Sequence, residues 1–140
     1  MFLLDTNIVS VLRRLERAGA GRRDWAARTP AEQTFLSAVT VLELERGVLL
    51  VERRDPAQEA VLRRWLEGDV LARFARRVLA VDSAVAWRCA ALHVPEPRPE
   101  RDALIAATGF VHGLTVVTRS LADLAPMGVP LLDPGADVQA

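Results

Sequence analysis

Four carboxylates, Asp5, Glu43, Asp102 and Asp123, each stand where an apolar stretch meets a turn or the start of a helix. Asp5 closes the run Phe2-Leu3-Leu4 and is followed at once by Thr6-Asn7. Glu43 comes just after Phe35-Leu36-Ser37-Ala38-Val39, Asp102 opens Asp102-Ala103-Leu104-Ile105, and Asp123 follows Leu114-Thr115-Val116-Val117-Thr118. If the short apolar runs are parallel strands, these acids gather along one edge of a sheet. Carboxylates gathered without basic partners repel one another, and a divalent cation relieves the repulsion. Donors that are all oxygen suit magnesium or manganese.

Each acid also has a plainer reading. Thr40-x-x-Glu43 fits a capping box, in which the Glu bonds back to the start of its helix. Ser120-x-x-Asp123 is a poorer match to the same pattern, and Asp102 could simply favour the positive end of a helix dipole. Asp5 is harder to explain this way, because a carboxylate ending a buried strand needs a partner or a cation. Among the other acids, Asp82 and Asp133 read as a helix-start and a turn residue. Glu45 points away from Glu43 and stays solvated beside Arg46.

Composition removes several chemistries. All 18 basic residues are Arg, so neither a phosphate-binding loop built on Lys nor a Schiff-base enzyme is available. Cys89 is the one cysteine, which excludes an internal disulfide and a cysteine zinc cluster; it reads as a small core residue. His93 and His112 share no motif and read as helix-end residues, which argues against zinc and against a histidine base. The formal net charge is zero, so nothing global attracts nucleic acid. No apolar run reaches the ~18 residues of a membrane span and no secretory leader precedes residue 2, so a cytoplasmic protein is expected.

The elements that must position the acids alternate between strand and helix. Strands are expected near 2–5, 34–38, 79–81, 114–118 and 129–132. Ile8, Val11, Leu12 and Leu15 mark one helical face, capped by Thr6 or Asn7 and ended by the glycines at 19 and 21. Residues 22–33 read as a loop. Helices follow at about 41–53 and through 57–78, with a break at Gly68-Asp69. Ser83 starts another, ending near Leu92, and the last runs over 100–112 to Gly113. The proline-rich stretch 94–99 must be an extended connector. Such alternation indicates an α/β fold with a mostly parallel sheet, whose ligands bind at the carboxyl ends of the strands.

Leu3-Leu4-Asp5-Thr6-Asn7, Ser37 to Leu44, Asp102 to Thr108, and Val117-Thr118-Arg119-Ser120 with Asp123 occur in the order found in PIN-domain ribonucleases. The chain resembles that family, specifically the VapC-type toxins of toxin–antitoxin pairs. The resemblance implies a PIN-like three-layer α/β/α fold over residues 1–140 as one domain. It implies a metal-dependent endoribonuclease, with Asp5, Glu43, Asp102 and Asp123 binding magnesium or manganese and with Thr6, Thr118 and Ser120 as polar helpers. It further implies an RNA substrate, a cognate antitoxin lying in a groove beside the site, and a homodimer. The helices over 57–78 offer apolar stripes for such a groove, and a basic antitoxin side chain would enter the acidic pocket. Ser120 stands where the family usually has Asn, and Leu124 where it usually has an aromatic residue. Arg119, Arg98 and Arg101 flank the acids in sequence and are candidates to guide the strand.

The rival readings are weaker. A phosphoacceptor receiver domain needs a Lys near its acids, and a haloacid-dehalogenase-type phosphatase needs Asp at position 7, which is Asn7. The remaining alternative is a catalytically silent PIN-like module that binds RNA or protein, against which the retention of all four acids argues.

Overall fold

The computed structural model describes residues 1–135. Its five strands are β1 (Phe2–Leu4), β2 (Thr34–Ser37), β3 (Val78–Leu79), β4 (Thr115–Val117) and β5 (Leu131–Leu132). They form one sheet in the order β3-β2-β1-β4-β5, and every neighbouring pair is parallel. Successive side chains on a strand point to opposite faces, and both faces are covered. Leu3 and Val116 enter a core with Val85, Ile105 and Met127. Leu4 and Val117 enter a second core with Ile8, Val48, Leu66 and Phe74. The result is the three-layer α/β/α, PIN-like arrangement expected from the sequence.

Seven α-helices supply those layers: α1 (Thr6–Arg13), α2 (Ala20–Arg28), α3 (Ala38–Glu52), α4 (Pro56–Arg64), α5 (Ser83–Leu92), α6 (Glu100–His112) and α7 (Leu121–Leu124). Gly113 ends α6 with φ of 64°, a conformation that glycine adopts without a Cβ penalty.

The sequence reading departs from the structure where tertiary contacts override local signals. Residues 22–33 do not form a loop throughout, because α2 occupies Ala20–Arg28 with no buried residue and so shows no apolar stripe to detect. α1 ends at Arg13, and Gly19 caps the start of α2 instead of ending α1. Asp5, not Thr6 or Asn7, caps α1, and Asp82, not Ser83, caps α5. α3 begins three residues earlier than expected because the Ser37 hydroxyl accepts the Val39 amide at 3.0 Å. No break occurs at Gly68-Asp69; a π-helical segment, Trp65–Leu71, continues α4. Leu66, Val70 and Phe74 are all buried at four-residue spacing, and that packing outweighs the roughly 1 kcal/mol helix cost of one glycine. Glu45 is not simply solvated: it pairs with Arg63, which also holds Glu59 at 3.3 Å and so ties α3 to α4.

Helix α6 lies flush on the sheet because Gly109 has no side chain. A Cβ there would stand 3.0 Å from methyls of both Val116 and Val129. Gly109→Val is therefore expected to lower the unfolding free energy by about 1–3 kcal/mol through overpacking. Urea unfolding would show a lower midpoint at unchanged slope, and an unaltered midpoint would contradict the tight packing.

Candidate active site

The strand order reverses around β1: β2 is on one side and β4 on the other. In open parallel sheets the crevice at such a reversal opens beyond the carboxyl ends of the strands. Asp5 is the residue after β1, and its amide donates to the Val117 carbonyl at 2.9 Å. The residue is 7% exposed, and its carboxylate is held at both oxygens. Oδ1 accepts the Thr6 amide at 2.8 Å, and Oδ2 accepts the Thr118 hydroxyl at 2.8 Å. Burial pushes the Asp5 carboxyl above its ordinary value of 3.8, against the pull of those two donors, and the Glu43 charge adds to the rise.

Glu43 comes from the first half of α3, yet it does not close a capping box, since Ser37 caps that helix. Its Oε1 instead accepts the Thr6 hydroxyl at 2.7 Å. The Thr6 and Thr40 hydroxyls are 3.2 Å apart. An ionised carboxylate only accepts, so Thr6 gives its one hydrogen to Glu43 and takes one from the fully buried Thr40. The sole cation on this pair of acids among the described residues is Arg101, 3.7 Å from Glu43 Oε2. Arg101 is thus a counter-ion at the acids themselves.

Asp102 enters from the first turn of α6. Burial raises its pKa above 3.8, and the charges of Asp5, Asp123 and Glu43 raise it further, in that order. Each of the other three acids is therefore close enough to be felt at Asp102. Asp123 is the most exposed of them, on the short α7.

A strap formed by residues 118–120 closes the site from the β4 side. The Thr118 hydroxyl, besides donating to Asp5, accepts the Ser120 amide at 2.9 Å. Asn7 spans the gap between α1 and this strap. Its Nδ2 donates to Ser120 Oγ at 3.0 Å, and its Oδ1 accepts the Arg119 amide at 3.1 Å. The sequence reading placed Thr6, Thr118 and Ser120 beside the acids but missed Asn7 and Thr40. Only the adjacency of Asn7 to Asp5 and Thr6 hinted at it, because its partners lie more than a hundred positions away.

A model of the PIN domain family matches residues 2–120. The chain belongs to the PIN-domain family. Toxin FitB of Neisseria gonorrhoeae is 35% identical over 98% of this chain and 100% of its own length. Ribonuclease VapC14 of Mycobacterium tuberculosis is 45% identical over 50% of this chain and 67% of its own length. The crystal structure of FitAcB from Neisseria gonorrhoeae superposes with a TM-score of 0.86 at 33% identity, covering 96% of this chain and 98% of that one. The VapC-type resemblance read from the motifs is thus borne out. The family match stops short of Asp123.

Two further features of this PIN domain lie away from the acids. A cleft of about 320 Å³ between α1, α2 and the π-helical segment is lined by Leu12, Trp25, Trp65 and Phe74 among others. Cys89, His93 and Glu100 also approach one another, with His93 Nε2 3.7 Å from the thiol and 3.5 Å from the carboxylate. His93 Nδ1 accepts the Arg98 amide at 3.0 Å, so the neutral ring carries its hydrogen on Nε2. That tautomer turns its N–H towards Cys89 and Glu100 and is the wrong one for a metal at Nε2. The cluster is a clasp joining α5 to α6, as the helix-end reading of His93 expected.

The raised pKa of Asp102 has a consequence for stability. A carboxyl that binds its proton more tightly in the folded state favours folding while protonated, and withdraws that stability as it ionises. Stability from this group therefore falls as pH rises from about the ordinary 3.8 through the raised folded value. Asp102→Asn removes the penalty. In chelator at neutral pH it is expected to raise Tm by a few degrees, with the gain shrinking as the pH is lowered below the ordinary carboxylate value. A lower Tm at neutral pH would show that Asp102 has a stabilising partner instead.

Proposed function

We propose that this PIN domain, as a single unit over residues 1–140, is a divalent-cation-dependent endoribonuclease acting as the toxin of a toxin–antitoxin pair. The observation that carries the reading is that the charges of Asp5, Asp123 and Glu43 all bear on Asp102, with Arg101 the one cation ion-paired to any of the four among the described residues. Such a donor set fits magnesium or manganese, since all four acids offer hard oxygen donors. Asp5 and Asp102 would hold the ion, with Glu43 and Asp123 completing its surroundings. When bound, the cation supplies charge neutralisation for a phosphodiester and acidifies an attacking water.

The remaining work falls to the protein. Thr118 and the Thr6 amide fix both oxygens of Asp5, so the carboxylate is presented in one orientation. Glu43, held by the Thr6 hydroxyl and not involved in capping, would take the proton of the attacking water. Water oxygen would add to phosphorus while the bond to the leaving ribose oxygen breaks, and that oxygen would take a proton from solvent. Ser120 serves indirectly, through Asn7, to hold the strap that carries Thr118. Support for ribonuclease activity comes from the relative named a ribonuclease.

Support for an antitoxin comes from the relative named a toxin. The aromatic cleft beside α1 and the π-helical segment suits an apolar stretch of such a partner, although the innermost stripe of that region, Leu66, Val70 and Phe74, is core. A second copy of the chain would cover Trp87 on α5, which is 85% exposed; interfaces favour such aromatic anchors. Action in the cytoplasm is part of the proposal; no helix among the described residues is long and apolar enough to cross a membrane.

Purified chain is expected to cut total RNA with magnesium or manganese and to stop in chelator. Asp5→Asn should abolish cleavage while leaving the fold intact, as judged by circular dichroism. Thr118→Val, which keeps the acid but frees it to turn, should lower the rate by roughly 10- to 100-fold. Absence of cleavage in either metal, from folded protein free of antitoxin, would favour a silent binding module. For the dimer, Trp87→Glu is expected to shift the sedimentation coefficient to that of one chain, and no shift would remove Trp87 from the interface.

A further inference from the structure

Arg13 and Arg14, adjacent on α1, serve different faces. Arg13 lies over the Trp65 ring at 5.7 Å. Arg14 instead lines a separate cavity of about 290 Å³ together with Ser10, Arg17, Arg22 and Arg119. No carboxylate contributes to its lining. Asp133 neutralises Arg22 at 3.2 Å. Arg14, Arg17 and Arg119 are exposed and form no ion pair among the described residues. Arg22 is wedged in place: a Cβ on Gly135 would stand 2.6 Å from its guanidinium carbon. Its Nε is shielded from solvent and has no hydrogen-bond partner among the described residues.

The cavity adjoins the acids. Arg119 belongs to the strap that carries Thr118, and its amide is held by Asn7 at 3.1 Å. Along α1, at 1.5 Å per residue, Ser10 lies roughly 7.5 Å and Arg14 roughly 13.5 Å beyond Asp5. A strand of negative charge leaving the acids along α1 would reach the cavity. We propose that this cavity holds a backbone phosphate of the RNA strand, one step along from the scissile position. The proposal rests on the nuclease reading and names a binding subsite for its substrate.

The chemistry matches that ligand. A guanidinium fork meets two phosphate oxygens at once, and the Ser10 hydroxyl can donate to another oxygen. Three guanidinium groups without an ion pair among the described residues, with a hydroxyl, exceed what one peptide carboxylate accepts, but suit a phosphodiester with its ribose hydroxyls. The lining has no aromatic ring on which a base could stack. The subsite therefore adds affinity without reading sequence, and it offsets the repulsion that the acids exert on an approaching backbone.

The test uses the whole chain carrying Asp102→Asn, so that the probe stays intact, and measures binding of a fluorescent oligouridylate across a salt series. Adding Arg14→Gln with Arg17→Gln is expected to weaken binding roughly tenfold. The plot of log affinity against log salt should become shallower by about 0.7 for the one phosphate released. Arg14→Lys with Arg17→Lys should keep the slope, since charge remains, while recovering only part of the affinity. Arg119→Gln, a single exposed change, gives the same reading if the double variant does not fold. Unchanged affinity and slope in a folded variant would overturn the proposal, and so would a greater loss of affinity for a polyglutamate peptide than for the oligouridylate. Cleavage of RNA by chain with Asp102 intact is scored separately. A shallower slope without any cleavage would keep the subsite and sink the nuclease reading, whereas cleavage with an unchanged slope would do the reverse.

Discussion

Everything at the crevice follows from the difficulty of keeping a carboxylate ionised and still at the end of a buried strand. Asp5 is surrounded by protein on most sides, and its neighbours in space are other acids. Two donors fix it, the Thr6 amide at the start of α1 and the Thr118 hydroxyl beyond β4. That requirement explains why α1 begins immediately after β1, with Asp5 as its cap. It also explains why β4 lies beside β1: their pairing brings Thr118 within reach. The carboxylate is thus held by the same backbone geometry that builds the centre of the sheet.

Much of this was readable in the chain. The apolar runs that form β1 and β4 each ended at a residue with chemistry, namely Asp5 and Thr118, and the sheet places both at the carboxyl ends of neighbouring strands. The position of Asp5 was legible for the same reason, since a strand end is a fixed location in a parallel sheet. What stayed hidden were contacts between residues far apart in sequence. The competition between a capping box and a Thr6 contact for Glu43 is decided by how α3 packs against α1, and nothing within Thr40 to Glu43 encodes it. Asn7 pairs with Ser120 and Arg119, and Ser120 is the position at which this chain departs from the usual family Asn. The amide that the strap needs is thus supplied from α1.

Local pattern also failed where burial was one-sided or absent. α2 has no buried residue, so no periodicity could reveal it, although it carries Trp25 against Phe2 with ring centroids 5.4 Å apart. The π-helical segment runs through Gly68 because its apolar residues must all face the sheet. An arginine-only basic complement suits these roles. Arg63 bridges carboxylates from two helices, Arg13 covers an indole, Arg101 meets Glu43, and Arg22 fits between Asp133 and Gly135. Each uses the planar, forked shape of guanidinium, which an ammonium group does not have.

The hydrogen bond from Thr118 to Asp5 joins residues 113 positions apart. Synthesis proceeds from the amino end, so Asp5 leaves the ribosome long before the hydroxyl that orients it exists. The strap, β4, α7 and β5 all follow Asp5 in the chain. The crevice therefore stays unfinished, and Asp5 free to turn, until those late residues have been made and folded against β1.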